Sequence, residues 1–435
     1  MMRALRTRYL LVTVMILPLA LVMHACGDGE PTETNGPDIG TVSVIHQWVS
    51  GGEPENFRHT VSVWEESNGG KVSDFGTRDI REILSRRVAG GNPPDLAILS
   101  APGTMREFAE DGRLIALDSF LDMNVVRDEY SQAWLDMGTV DGSIYTIPSK
   151  AANKSTVWYN PGVFDSYDLE APETWEELVA LSDQLAALGL SPWSIGMESG
   201  GTSGWPGTDW IGQIVLSESG PEVYDKWVNH EIPWTDPRIK SAWEKFGQIA
   251  LTSGYVYEGA DFMLSTHFTS ASYLPFESPP RAGMYFLGSF VQTFIEEQFP
   301  ELEIGEDYSF FPFPTINEQY AGAVTSGADL LVMFNDTEAS RSLLEFLIGA
   351  EAQEMGVRQG GYISTNKKVS LASYPDALAA KVAEQLIGAR IARFDADDIW
   401  GGNLQAAFFQ GVLDYLANPD DLDRILGDLE ALTVQ

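Results

Sequence analysis

The residues able to carry out chemistry in this chain are few in kind and widely scattered. Beyond the first 25 residues the histidines are His46, His59, His230 and His267, and no two stand i, i+4 as paired ligands on a metal-binding helix would. The one cysteine, Cys26, can build neither a thiolate metal site nor an internal disulfide. "SNGGKV" has the Gly-Lys of a phosphate loop, but Val72 stands where Ser or Thr must meet magnesium, so the segment reads as a helix stop. "ESGGTSGW" offers serines among glycines without the spacing of a nucleophile elbow, and "FDADDIW" lacks the sixth-position glycine of a calcium loop. Carboxylates are another matter. With 63 Asp+Glu, a glycosidase pair, which is defined in space and not by spacing, stays open. No motif asks for a cofactor or a metal, and the expectation is a protein that is not an enzyme.

Cys26 follows a leader with Arg3, Arg6 and Arg8, no acid, and the uncharged stretch "YLLVTVMILPLALVMHA". A basic start, an apolar centre and small residues near the cut make an export signal over residues 1–25. A cysteine there resembles the lipobox of bacterial lipoproteins, with Cys26 as the lipid-carrying first mature residue. Ala25 fits that pattern, while Met23 and His24 depart from it. An ordinary secreted protein with an incidental cysteine is the other reading. "GDGEPTETNGPDIG" then serves as a flexible linker over residues 26–40. The formal charge of −36 repels nucleic acid and anionic lipid headgroups and suits a soluble surface.

The remaining length suffices for two or three domains. "TVSVIHQWV" is a strand. Phe57, Val61 and Trp64 share a helical face that Gly69-Gly70 stops. Ile80, Ile83, Leu84 and Val88 mark a second helix, "LAIL" a buried strand, and Thr104 with Glu107 a capping box. This alternation of strand and helix predicts an α/β fold. It breaks at "DGSIYTIPSKAANKSTVWYNPGVFDSYDL", resumes with a capping box at Thr174 and Glu177, and returns late with the strand "GADLLVMF" and a helix over "EASRSLLEFLIGAEAQEMG".

Three stretches in order resemble the extracellular solute-binding proteins of bacterial ABC sugar importers, the family that includes the maltose-binding protein. They are "GNPPDLAILSAPGTMREFAEDGRLIALD", "DGSIYTIPSKAANKSTVWYNPGVFDSYDLEAPETWEELVALSDQL" and "LEFLIGAEAQEMGVRQGGYISTNKKV". "GPEVYDKWVNHEIPWTDPRIKSAWEKFGQI" and "GYVYEGADFMLSTHF" are similar to binders of α-glucosides such as sucrose, maltose and trehalose, while "RAGMYFLGSFV" departs from that subgroup. The resemblance implies a two-lobed periplasmic-binding fold of the class II type, with a ligand cleft between the lobes. The N-terminal lobe would take residues 41–150 and 325–350, and the C-terminal lobe 151–324 and 351–435. Hinge crossings are expected near 151–159, 320–326 and 348–357. It also implies a monomer without nucleic acid, partnered by permease subunits in the cytoplasmic membrane and tethered outside it through Cys26. A sugar-sensing or adhesive lipoprotein would need the same cleft.

A sugar presents an apolar C–H face to aromatic rings and hydroxyls to polar groups. In open α/β lobes the groups available lie on loops beyond the carboxyl ends of strands. Those loops offer Trp48, Glu53, Asp79, Ser100, Lys154 and Asp329 for polar or edge contacts. For stacking they offer Trp205, Trp210, Phe290 and Trp400, with Asp209 beside them. Trp205, Asp209 and Trp210 are read as part of a Gly/Pro-broken loop, "SGWPGTDW".

Overall fold

The computed structural model describes residues 39–433. The leader, Cys26 and nearly all of the linker therefore lie outside the described residues. Two sheets organise the chain. The first has six strands, ordered Ala392–Phe394, Val324–Met333, Leu96–Leu99, Thr41–His46 and Lys71–Gly76, with Thr146–Asn153 also paired to Val324–Met333. The second orders Ser309–Pro312, Thr156–Tyr159, Ala282–Phe286 and Ser191–Trp193. Strands Thr41–His46, Lys71–Gly76 and Leu96–Leu99 run parallel, as helical crossovers require. The crossover helices Glu53–Asn68 and Ile80–Ala89 bury Phe57, Val61 and Trp64, and Ile80 and Leu84. Gly69 ends the first in the left-handed conformation at φ 71°, so the Gly-Lys segment is a helix stop.

The chain passes between the sheets at the places where its α/β rhythm breaks. Asn153 pairs with Ser326 of the first sheet, and by Thr156 the backbone pairs with Pro312 of the second. The return runs from Pro312 to Val324. The third crossing lies later than expected. The helix Ala350–Arg358 buries Ala352, Gln353, Gly356 and Val357 and packs against Glu53–Asn68, so it stays with the first lobe. Only the helix Ala377–Ile387 joins the second, sharing a core with Phe276 and Tyr285 through Leu378, Val382 and Ala383. Strand Ala392–Phe394 then returns to pair with Val324–Ser326.

Local chemistry explains the other departures. The single late helix is two, Glu338–Ile348 and Ala350–Arg358, broken at Gly349 in extended geometry. Thr174 and Glu177 form the expected reciprocal capping box. Thr104 and Glu107 do not, because Pro102 starts that helix earlier and places Thr104 inside it. Among the described residues no helix is long and apolar enough to cross a membrane.

Candidate functional site

A cavity of about 420 Å³ opens between the lobes, within the usual size range of small-molecule sites. Its first-lobe wall is charged and prearranged. Gly51 and Gly52 turn the chain at φ 75° and 72°; a Cβ on Gly51 would fall 1.9 Å from the Phe294 ring, so only glycine admits this approach. The turn delivers Glu53 to the start of its helix, where the helix dipole favours a carboxylate. Glu53 is ion-paired with Lys150, which comes from the hinge strand Thr146–Asn153 and also lies 3.6 Å from Asp329. Asp329 accepts from Gln47 Nε2 at 2.7 Å and Trp48 Nε1 at 3.1 Å. The Lys150 ammonium sits 5.3 Å from the Trp48 ring centroid. Burial pushes Lys150 down, but Glu53 and Asp329 more than reverse this and hold it above the ordinary lysine value. Burial pushes Glu53 up, against the pull of Lys150.

The opposite wall combines aromatic rings with a second lysine. Trp205, Phe268, Phe290, Phe294 and Phe409 border the cavity, Trp205 lying edge-on to Phe268 at 5.0 Å. Below them Lys154 reaches into the second lobe past Gly327, where a Cβ would come within 2.9 Å of the lysine Cε. Its ammonium contacts Asp395 closely, Asp209 at 3.0 Å and Asp398 at 3.5 Å, and lies 5.6 Å from the Trp205 ring centroid. Asp397 accepts from Thr208 Oγ1 at 2.9 Å and Gln405 Nε2 at 3.2 Å. Gln405 also donates to Asp398 at 2.9 Å. Burial holds Asp209 and Asp397 well above the usual carboxylate range and pushes Asp398 up to about 6. Asp395 is also buried, yet Lys154 and its acid neighbours keep it low and ionised.

Oxygens of Asp209, Asp395 and Asp397 lie within 4.8 Å of one another, a spacing that could hold a metal ion. The ammonium of Lys154 already supplies a cation to two of them. Asp209 Oδ2 and Asp395 Oδ1 have no other partner among the described residues, and a proton shared between the two acids satisfies both. The cluster is a lysine nest.

Of the residues expected from sequence, Trp48, Glu53, Asp79, Ser100, Lys154, Trp205, Phe290 and Asp329 border the cavity. Asp209 does not; it lies behind Lys154, 1 % exposed. Trp210 does not either. "SGWPGTDW" is not a broken loop: a helix begins at Trp205 with Pro206 in its first turn, and five residues on Trp210 points into the core against Trp193 and Phe286. Trp400 packs against Trp227 and Trp234 at 5.0 Å and donates to the carbonyl of Val228. It too is a lobe plug. Sequence reading passed over Gln47, Arg78, Lys150, Gln405 and the Asp397–Asp398 pair. Arg78 stands beside the chosen Asp79, and the two aspartates lie in the segment tested only as a calcium loop.

The profile of the bacterial extracellular solute-binding protein family matches residues 64–354, and the chain belongs to that family. It is 34 % identical over 424 residues to the osmoprotective compounds-binding protein GgtB of Synechocystis, covering 97 % of this chain and 99 % of that one. It is 33 % identical to the α-glucosides-binding periplasmic protein AglE of Rhizobium meliloti, covering 89 % and 86 %. Among solved structures, the receptor AcbH, with its preference for β-D-galactopyranose, superposes with a TM-score of 0.79 at 20 % identity, covering 91 % of this chain and 98 % of that one. Maltose-bound MalE3 of T. maritima gives 0.73 at 18 %, covering 90 % and 100 %. The fold is the two-lobed solute-binding fold.

Proposed function

We propose that the chain is the substrate-binding component of an ABC importer and captures a small neutral sugar, most closely an α-glucoside of disaccharide size. The observation that carries this is the pairing of unlike walls on one cavity. The first-lobe wall is mainly hydrogen-bonding charge, and the second carries most of the aromatic rings beside Lys154, Asp397 and Asp398, so the cavity offers both surfaces that a sugar needs. Glu53, Asp79, Asp329, Asp397 and Asp398 are each held by a donor of the protein, which suits binding over bond cleavage. Capture by lobe closure, without chemistry, follows from the hinge crossings. Export and tethering through Cys26 belong to the same reading, and labelled palmitate incorporated by the wild type but not by Cys26→Ser tests the tether.

The likeness to GgtB favours a second reading, a small osmoprotective solute. One titration separates them. Intrinsic tryptophan fluorescence of residues 31–435 is followed with sucrose, trehalose, maltose, glucose, cellobiose and glycine betaine. Saturation near micromolar, about −8 kcal/mol, with an α-linked disaccharide and not cellobiose supports the α-glucoside. Saturation with betaine alone overturns it in favour of the second reading. Release of glucose during incubation would instead establish a glycosidase.

A further inference from the structure

Hydrogen bonds join the lobes across the cavity at Ser50 with Thr269, at 3.4 Å between hydroxyls, and at the neighbouring Arg78 and Asp79, where Arg78 makes two. Arg78, on the loop after Lys71–Gly76, borders the cavity, and among the described residues no carboxylate lies within 4.0 Å of it. Its Nη1 donates to the carbonyl of Gln47 at 3.3 Å in its own lobe. Its Nε donates to Ser199 Oγ at 3.1 Å and its Nη2 to Thr202 Oγ1 at 3.3 Å, both beyond the first crossing. The guanidinium also lies 5.5 Å from the centroid of Phe268, an aromatic of the far wall. Asp79 adds to the join by accepting from Gly201 N at 2.9 Å. A Cβ on Gly201 would stand 2.6 Å from Asp79 Oδ1, so this turn meets the first lobe as closely as glycine permits.

We infer that Arg78 is the positioning residue that couples occupancy of the cavity to closure of the lobes. The inference rests on the binding reading above. One side of the guanidinium faces the ligand space, while its fork of donors holds the Gly200–Thr202 turn. Ser199 Oγ and Thr202 Oγ1 are uncharged acceptors, and hydrogen bonds to them can be broken and remade at each opening, whereas a buried carboxylate partner would weld the lobes shut.

The test removes the far partners and leaves Arg78 in place. Ser199→Ala/Thr202→Val, Arg78→Ala and the combined variant are compared with wild type by stopped-flow fluorescence, using whichever of sucrose, trehalose and maltose the wild type binds. Small-angle scattering with and without that sugar reads the compaction, and thermal melts confirm folding. The far-side pair is expected to raise the dissociation rate about tenfold with association little changed, and to reduce the ligand-induced compaction. Adding Arg78→Ala to that pair should cost less than Arg78→Ala alone costs the wild type. Wild-type dissociation and compaction in Ser199→Ala/Thr202→Val, with weakened binding in Arg78→Ala, would make Arg78 a ligand contact only and overturn the inference. Should no sugar bind the wild type, the binding reading fails separately. The join is then read without ligand: Gly201→Ala should scatter as a more open particle than wild type, and equal scattering would sink the inference.

Discussion

Lys150 and Lys154 leave the same hinge segment four residues apart, and each is buried behind one wall of the cavity. Each ammonium lies near a tryptophan ring and is gripped by carboxylates. They differ in charge balance. Lys150 answers Glu53 and Asp329, and Asp329 has Gln47 and Trp48 as further donors. Lys154 stands among Asp209, Asp395, Asp397 and Asp398. A buried ammonium can offset a carboxylate or two; where acids exceed it, protons must make up the difference. The crowded wall shows this in Asp398, which burial pushes up to about 6.

The largest expected effect comes from breaking the crowded nest. Lys154→Met leaves several buried acids without a cation and should destabilise the protein by about 3–5 kcal/mol in urea unfolding, with much of the loss recovered in acid. Lys150→Met should cost less, about 2–3 kcal/mol by the same measurement, because Asp329 keeps two donors. Equal losses with equal pH dependence would erase the contrast between the walls.

Asp398 sharpens it further. Its folded value of about 6 lies above the usual aspartate value of 3.8, chiefly through burial. The stability it contributes is therefore full below about pH 3.8 and is lost as pH rises through about 6. Asp398→Asn should remove roughly 2 kcal/mol of decline between pH 4 and 7, read as the difference between wild-type and variant melts at each pH. A parallel pair of curves would show that Asp398 ionises freely. The smallest effect belongs to Thr174→Ala, far from both walls, where loss of the capping box should cost about 1 kcal/mol at every pH.

What was legible in sequence follows from periodicity and local signals. The strands "TVSVIH" and "LAIL", the helix face of Phe57, Val61 and Trp64, and the Thr174 box needed no information beyond a few neighbouring residues. Eight of the chosen side chains border the cavity, most of them near strand ends, as expected of open α/β lobes. Asp329 does so from inside the strand Val324–Met333 and not from a loop, its pleat turning the carboxylate to the cavity, and Trp205 from the first turn of its helix. Trp210 was misplaced because Pro206 reads equally as a breaker or as a first-turn residue, and only the helix that follows decides. The lysine nest was invisible for another reason. Lys154, Asp209 and Asp395 are separated by 55 and 241 positions along the chain, and nothing in the sequence alone marks that contact.

The acceptors of Arg78 carry one more consequence, which concerns dissolved salt. Attraction between opposite charges near a surface fades as ionic strength rises, with a screening length of about 8 Å in physiological salt. Across the join, Arg78 meets two hydroxyls and Asp79 meets a backbone N–H, so each charged side chain is bonded to a group that bears no net charge. Such charge-to-neutral bonds are screened less than a pairing of opposite charges, so the closure proposed for this strongly acidic protein should weaken little as salt rises.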